Sequence, residues 1–240
     1  IRLLITGGAG FIGSNLVEHF LSDERISLVR VLDDLSNGYY ENIAEFEDHP
    51  KFEFIKGDIC DYDTCLKACA GIDKISHQAA LGSVPRSIEN PMRTNAVNVG
   101  GTVNVLHAAK EQGVERVILA FSSSTYGDHP GLPKVEGKEG KPLSPYAVSK
   151  AAIEQYAEVF GKTYGLNWIG LRYFNIFGPR QNPDNPYAAV IPIFCKAFLE
   201  EGQITINGDG ETSRDFTFVE NAILANELAL FVREDRADKA

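Results

Sequence analysis

The chain has 240 residues, 33 of them acidic and 23 basic, which gives a formal charge of −10 and an isoelectric point near 5.0. That balance excludes a nucleic-acid binder held by bulk charge, and a composition of 44% hydrophobic and 23% charged residues excludes intrinsic disorder. The longest apolar stretches, such as residues 116–121, have strand length and fall short of the roughly 20 residues that a bilayer span needs, so no membrane partner is expected.

Residues 1–6, IRLLIT, open the chain inside a strand, with neither an initiator Met nor a signal segment, so it reads as part of a longer product that is cut short again at its far end. Short β-branched runs then alternate with amphipathic helical stretches, the pattern of a doubly wound α/β fold with a parallel sheet between helical layers. Strands are expected at Leu3–Thr6, Leu28–Asp33, Phe52–Lys56, Lys74–His77, Val117–Ser122 and Trp168–Tyr173. Helices are expected at Ile12–Ser22, Tyr62–Cys69, Thr94–Gln112 and Tyr146–Tyr164. At Gly178 the chain enters a loop rich in Pro, Asn and Gln, where a smaller, incomplete lobe over residues 178–240 begins. That lobe is expected to hold a helix near Ile191–Glu201, a strand at Ile204–Asn207 and a helix near Asn221–Phe231.

Cys60, Cys65, Cys69 and Cys195 form no Cys-x-x-Cys pair, so they read as buried free thiols in a reducing, cytoplasmic setting. His19 and His107 have no carboxylate or cysteine partner at ligand spacing, so no metal is expected.

Directly after the first strand stands Gly7-Gly8-Ala9-Gly10-Phe11-Ile12-Gly13, followed by a helix. Glycines at 7, 10 and 13 permit a tight turn, close approach of a pyrophosphate to backbone N–H groups, and close packing of helix on strand. A merely tight loop has the same glycines, but Asp33 ends the second strand twenty residues past Gly13, where a carboxylate meets an adenosine ribose. Asp34 follows it where an arginine would suit a 2′-phosphate, so NAD is favoured over NADP. Residues 1–177 then form a Rossmann-type NAD-binding domain. Asp58, closing the third strand, could meet the adenine amine or simply cap the next helix.

Ser144 and Pro145 start a helix on which Tyr146 and Lys150, four apart, share a face. A phenol with a pKa near 10 has to fall by roughly 3, worth about 4 kcal/mol, to act as a base at neutral pH. A nearby ammonium and a cationic nicotinamide ring have the required sign. Such a pair alone is commonly a solvated helix face; here it follows a dinucleotide turn and the run Ser122-Ser123-Ser124 at the end of a strand.

The motifs TGGAGFIG (6–13), NVGGT (98–102), SSSTYG (122–127), YAVSK (146–150), RYFN (172–175) and RDF (214–216) resemble those of the extended short-chain dehydrogenase/reductase family over nearly the whole chain. Within it, HQAALGSVPRS (77–87), TYGDHPGLP (125–133) and INGDGETSRDF (206–216) are most similar to nucleotide-sugar 4-epimerases, in particular those acting on UDP-N-acetylglucosamine. The resemblance implies Tyr146 as acid and base at the sugar 4-hydroxyl, and Lys150 as holding the nicotinamide ribose and lowering the phenol's pKa. Ser122, four before Tyr126, would be the catalytic hydroxyl, with Ser123 beside it. NAD would lie against Gly7, Gly10, Phe11, Ile12, Gly13, Asp33, Asp34, Ser36, Asn37, Gly38, Asp58, Ile59, Gln78, Ala79, Ala80, Asn98 and Tyr173. The UDP-sugar would meet Ser83, Arg86, Ser123, Ser124, Asn175, Val190, Asn207 and Arg214, the last as diphosphate clamp.

Dehydratases of the family carry an Asp-Glu pair where Ser123 and Ser124 stand, so the resemblance implies epimerisation through a 4-keto sugar, in polysaccharide biosynthesis. Rivals are epimerases of UDP-glucose or UDP-glucuronate and a catalytically silent NAD-binding module. The resemblance also implies a homodimer, with helices 94–112 and 146–164 pairing in a four-helix bundle, although Val97, Val105, Ile153, Tyr156 and Val159 could all face the sheet.

Overall fold

Side chains alternate across the central strands, and both sides are buried. In β1 (Arg2–Thr6), Leu4 joins the core on one face while Leu3 and Ile5 join that on the other. In β5 (Arg116–Ser122), Val117, Leu119 and Phe121 take the first side and Ile118 the second. Strands apolar on both faces must lie between two helical layers, the setting of a parallel sheet. The computed structural model, which describes residues 1–184, 188–206 and 208–233, has that architecture. Six parallel strands run in the order β3 (Phe52–Lys56), β2 (Leu28–Asp33), β1, β4 (Lys74–His77), β5, β6 (Trp168–Tyr173). This Rossmann-type order reverses between β1 and β4, so the carboxyl ends of those strands open a crevice.

Helices α1 (Phe11–Leu21) and α8 (Val219–Phe231) cover one face of the sheet. The other is covered by α2 (Tyr62–Cys69), α5 (Thr102–Glu111) and α6 (Pro145–Tyr164). Two buried arginines close helix ends. Arg30 donates to the carbonyls of Ala68 and Ala70 at the end of α2, both at 2.8 Å, and Arg116 to those of Ala229 and Val232 at the end of α8, at 3.0 and 2.7 Å. Cations there meet the unsatisfied carbonyls and the negative end of the helix dipole.

The strands keep their expected bounds, β1 and β5 beginning one residue earlier. The helix expected over 94–112 is instead α4 (Pro91–Asn95), a turn of π-helix (Ala96–Gly101) and α5. The wider turn carries Asn98, whose side chain accepts from Leu81 N at 2.8 Å and donates to Leu81 O at 3.1 Å and Ser149 Oγ at 3.0 Å. A short α3 (Val84–Glu89), capped by Ser83, has no expected counterpart. The strand expected at Ile204–Asn207 is absent from residues 204–206, which are irregular, and Asn207 lies outside the described residues.

Two-residue strands β7 (Ile176–Phe177) and β8 (Thr217–Phe218), too short to show a period, pair instead. Of the helices expected beyond Gly178, α8 packs under the sheet, with Ala229 and Leu230 beside Leu3 and Ile5. By contrast α7 (Val190–Leu199) buries only Pro192 among its residues, so Cys195 is exposed. Cys60 is partly exposed, and only Cys65 and Cys69 are buried thiols as expected. Val97, Val105 and Ile153 pack inward, whereas Tyr156 and Val159 face outward.

His77 ties the layers at the crevice, with Nδ1 2.7 Å from Thr6 Oγ1 and Nε2 2.9 Å from Thr102 Oγ1. Thr102 gives its proton to Asn98 O, so it accepts from Nε2–H, and burial, which keeps the ring neutral, leaves Nδ1 to accept from the Thr6 hydroxyl. Burial, reinforced by the Lys150 charge, holds the His77 pKa down from 6.5 to about 3. The unfolded chain therefore binds the extra proton first. His77's contribution to stability is complete above pH 6.5 and is lost as pH falls toward 3. Thermal melts between pH 7 and 4 should show a steeper fall for the native chain than for His77→Asn; parallel slopes would contradict this protonation state.

Candidate active site

A cleft of about 710 Å³ lies along the carboxyl ends of the strands. Its floor is the turn between β1 and α1. Gly7 has φ +71°, and a Cβ there would come within 2.7 Å of the Ala79 backbone; a Cβ on Gly13 would lie 2.1 Å from Gly7 O. Only glycine lets the turn, the β4 segment and α1 come this close. The N-cap of α1 is Gly10, which supplies no side-chain cap, and the first turn holds no acid. The positive helix end therefore faces the cleft uncompensated, as an anionic diphosphate requires.

Asp33 is buried, and its two oxygens accept from Ala9 N and Leu35 N, both at 2.9 Å. Burial raises its pKa and these N–H bonds oppose the rise. Each oxygen keeps a lone pair for a ribose hydroxyl. Asp34, Ser36, Asn37, Gly38, Asp58 and Ile59 line the same end. Asp61 caps α2, accepting from Asp63 N, so Asp58 is not that helix's cap.

Arg93, from α4, was not among the expected site residues. Its guanidinium stands 3.2 Å from Asp58 and 3.7 Å from Asp34, and so offsets the charge of both carboxylates. Gln78, Ala79 and Ala80 line the middle of the cleft, and the buried Gln78 Oε1 has no protein partner, an acceptor left for a ligand. Gly7, Gly10, Asp33 and Gln78 thus fit a dinucleotide. Asn98, expected against it, does not line the cleft; its amide is spent on Leu81 and Ser149.

At the other end Ser122, Ser123, Ser124, Tyr146, Lys150, Tyr173, Asn175 and Arg214 converge. Burial pushes the Tyr146 phenol up from its ordinary pKa, and the Ser122 hydroxyl at its side opposes that rise without overcoming it. The expected lowering by Lys150 is not present. Its Nζ donates to Ala120 O at 2.7 Å, 6.0 Å from the centre of the Tyr146 ring, and burial depresses the ammonium itself to about 8. Tyr173, pushed up to about 12 by burial, accepts from Asn226 Nδ2 at 2.6 Å and so joins β6 to α8.

Ser83 and Arg86 line an adjoining cavity of about 290 Å³ with Asn37, Arg180 and Gln181, and Arg86 donates to Asn37 at 2.9 Å. Val190 lines neither cavity because it faces outward at the start of α7. Gly57, Leu81, Val84, Val97, Phe121 and Ile176 also line the main cleft, unforeseen because an apolar strand or helix end has no chemical signature. Among the described residues no His, Cys, Asp and Glu cluster could hold a metal, and no helix is long and apolar enough to cross a membrane.

Residues 3–238 match the model of the NAD dependent epimerase/dehydratase family. A UDP-glucose 4-epimerase of Mycolicibacterium smegmatis is 42% identical over 93% of this chain and 71% of its own length. The structure of UDP-N-acetylglucosamine 4-epimerase from Methanobrevibacter ruminantium, in complex with UDP-N-acetylmuramic acid, superposes with a TM-score of 0.90 at 41% identity, covering 95% of this chain and 72% of that one. A UDP-glucuronic acid 4-epimerase from Bacillus cereus gives 0.88 at 32% identity, over 96% and 73%.

Replacing Asp33 by Ala removes a carboxylate that is positioned in advance for the ribose. Calorimetric titration with NAD should show affinity reduced about ten- to a hundredfold. Unchanged affinity would contradict this placement of the adenosine.

Proposed function

The chain belongs to the NAD-dependent epimerase/dehydratase family and takes NAD as its cofactor, and on that premise we propose that it inverts C4 of a UDP-sugar, with UDP-N-acetylglucosamine and UDP-N-acetylgalactosamine as the pair. The observation that carries this reading is the meeting of Ser122, Tyr146 and Lys150 in one cleft whose next two side chains are Ser123 and Ser124. Neither serine exchanges a proton near neutral pH, so the acid–base chemistry is confined to one carbon. Elimination of water would require a second acid–base pair.

When bound, NAD supplies an acceptor for the C4 hydride and a donor for its return. Tyr146 takes the proton of the 4-hydroxyl and later gives it back, while Ser122 donates to the phenol oxygen and stabilises its anionic form. Because burial raises the Tyr146 pKa, the phenolate depends on positive charge brought by the ligand, while Lys150, with a pKa near 8, stays largely cationic at neutral pH and is placed to hold the nicotinamide ribose. Gly7 to Gly13 and the open end of α1 hold the cofactor diphosphate, and Arg214 holds that of the sugar. The 4-keto sugar turns about its diphosphate linkage and presents its other face to the same groups.

The motifs at 77–87, 125–133 and 206–216 support the acetamido sugar; overall identity favours neither sugar, because a UDP-glucose 4-epimerase at 42% identity and a UDP-N-acetylglucosamine 4-epimerase at 41% resemble the chain alike. A second reading, UDP-glucuronate, is favoured by Arg86 in the side cavity, where a C6 carboxylate could find a cation. The outward Val148, Tyr156 and Val159 of α6 support a homodimer through paired helices, with a mass of two chains in sedimentation.

NMR of a UDP-sugar panel should show C4 inversion of the N-acetylhexosamines without stoichiometric NADH; steady NADH with a 4-keto product would overturn the proposal. Tyr146→Phe should lower turnover more than a thousandfold, roughly the loss of a general base, and leave NAD binding within about twofold by calorimetry.

A further inference from the structure

Asp33 marks the ribose end of the cleft, and the neighbouring strand carries the next acid. Asp33 on β2 is the register partner of Lys56 at the end of β3, and Gly57 N donates to Asp33 O at 3.0 Å. Asp58 therefore enters the cleft beside that ribose, on the side where the attached base belongs. Both of its oxygens are held from behind. Oδ1 accepts from Cys60 N at 2.8 Å and Oδ2 from Arg93 Nη2 at 3.2 Å, which leaves each oxygen a further lone pair. An ionised carboxylate only accepts, so the group it suits on a base is an amine.

We propose that Arg93 is a positioning residue for the cofactor, holding the Asp58 carboxylate where it accepts from the 6-amino group of adenine and so setting the preference for that base. The backbone of Arg93 is itself fixed. Asn90 caps α4 and accepts from Arg93 N at 3.0 Å, Pro91 opens the helix, and Arg93 Nη1 donates to Cys60 Sγ at 3.6 Å. Asp34, whose Oδ1 accepts from Ser36 N at 2.9 Å and Ser36 Oγ at 2.6 Å, stands 3.7 Å from the same Nη2 that Asp58 meets. Two carboxylates thus share one guanidinium nitrogen. Without that cation they repel each other, and Asp58, left with the Cys60 N–H alone, turns away from Asp34. Arg93 does not line the cleft, so its influence on the base passes through Asp58. The three side chains are partly exposed, which keeps the effect modest.

Calorimetric titration with NAD, and with the analogue whose base is unsubstituted purine and so has hydrogen in place of the 6-amino group, tests this without turnover. A failure here is therefore separate from a failure of the proposed epimerisation. The native chain should bind NAD about tenfold more tightly than the purine analogue. Arg93→Ala should weaken NAD about threefold to tenfold and the analogue by less than about twofold. Arg93→Lys, which keeps the cation, should restore part of the preference. Asp58→Ala should bind the two alike, and adding Arg93→Ala to it should leave both affinities within about twofold. Equal weakening of both dinucleotides by Arg93→Ala would overturn the inference and leave Arg93 as a structural link between α4 and the end of β3. A native chain that binds the two with equal affinity would overturn it as well.

Discussion

A phenol has to carry negative charge in a place that penalises charge, and the arrangement of the active site follows from that conflict. Burial raises the pKa of Tyr146, and within the protein the opposing group is the Ser122 hydroxyl. Lys150 faces the same penalty: it is buried, its pKa is depressed to about 8, and it spends one hydrogen bond on Ala120 O. The protein alone therefore holds its base largely neutral. Acid–base chemistry becomes available only when a ligand adds positive charge and excludes water, which couples the reactivity of Tyr146 to occupancy of the cleft.

The sheet supplies rigid anchor points for these groups. Ser122 ends β5, Gly7 follows β1 and Gln78 follows β4, so three strands joined by hydrogen bonds set three parts of the site. Behind them a second layer of polar contacts fixes the segments that lack regular structure. Asn98 clasps Leu81, His77 joins Thr6 to Thr102, and Asn226 links Tyr173 to Ser76. Each is buried with its donors and acceptors matched, an arrangement that favours one geometry over its neighbours because any shift would strand a buried polar atom. The net charge of −10 is no obstacle to a diphosphate, since the anion meets N–H groups and single guanidinium groups at close range.

What could be read from the sequence was local in origin. The strands follow from β-branched runs of the right length, the phosphate turn from three glycines after a strand, Asp33 from its distance to Gly13, and the Tyr146 and Lys150 pair from a four-residue spacing. What could not be read depends on contacts between distant segments. Arg93 reaches Asp34 and Asp58 only because α4 lies across the crevice from β2 and β3. The π turn in the helix after Asn95 and the withdrawal of Asn98 from the cleft both turn on a backbone segment seventeen residues earlier. Val190 is expected at the sugar through the family resemblance, but its helix turns it outward.

In the proposed reaction one carbon of the sugar gives up its hydrogen and regains that same hydrogen on the other face. Incubating the NAD-loaded enzyme with UDP-N-acetylglucosamine deuterated at C4, in ordinary water, and locating the label by NMR measures this directly. Deuterium should be retained at C4 of the galacto epimer. Deuterium lost to solvent, or found on another carbon, would contradict it.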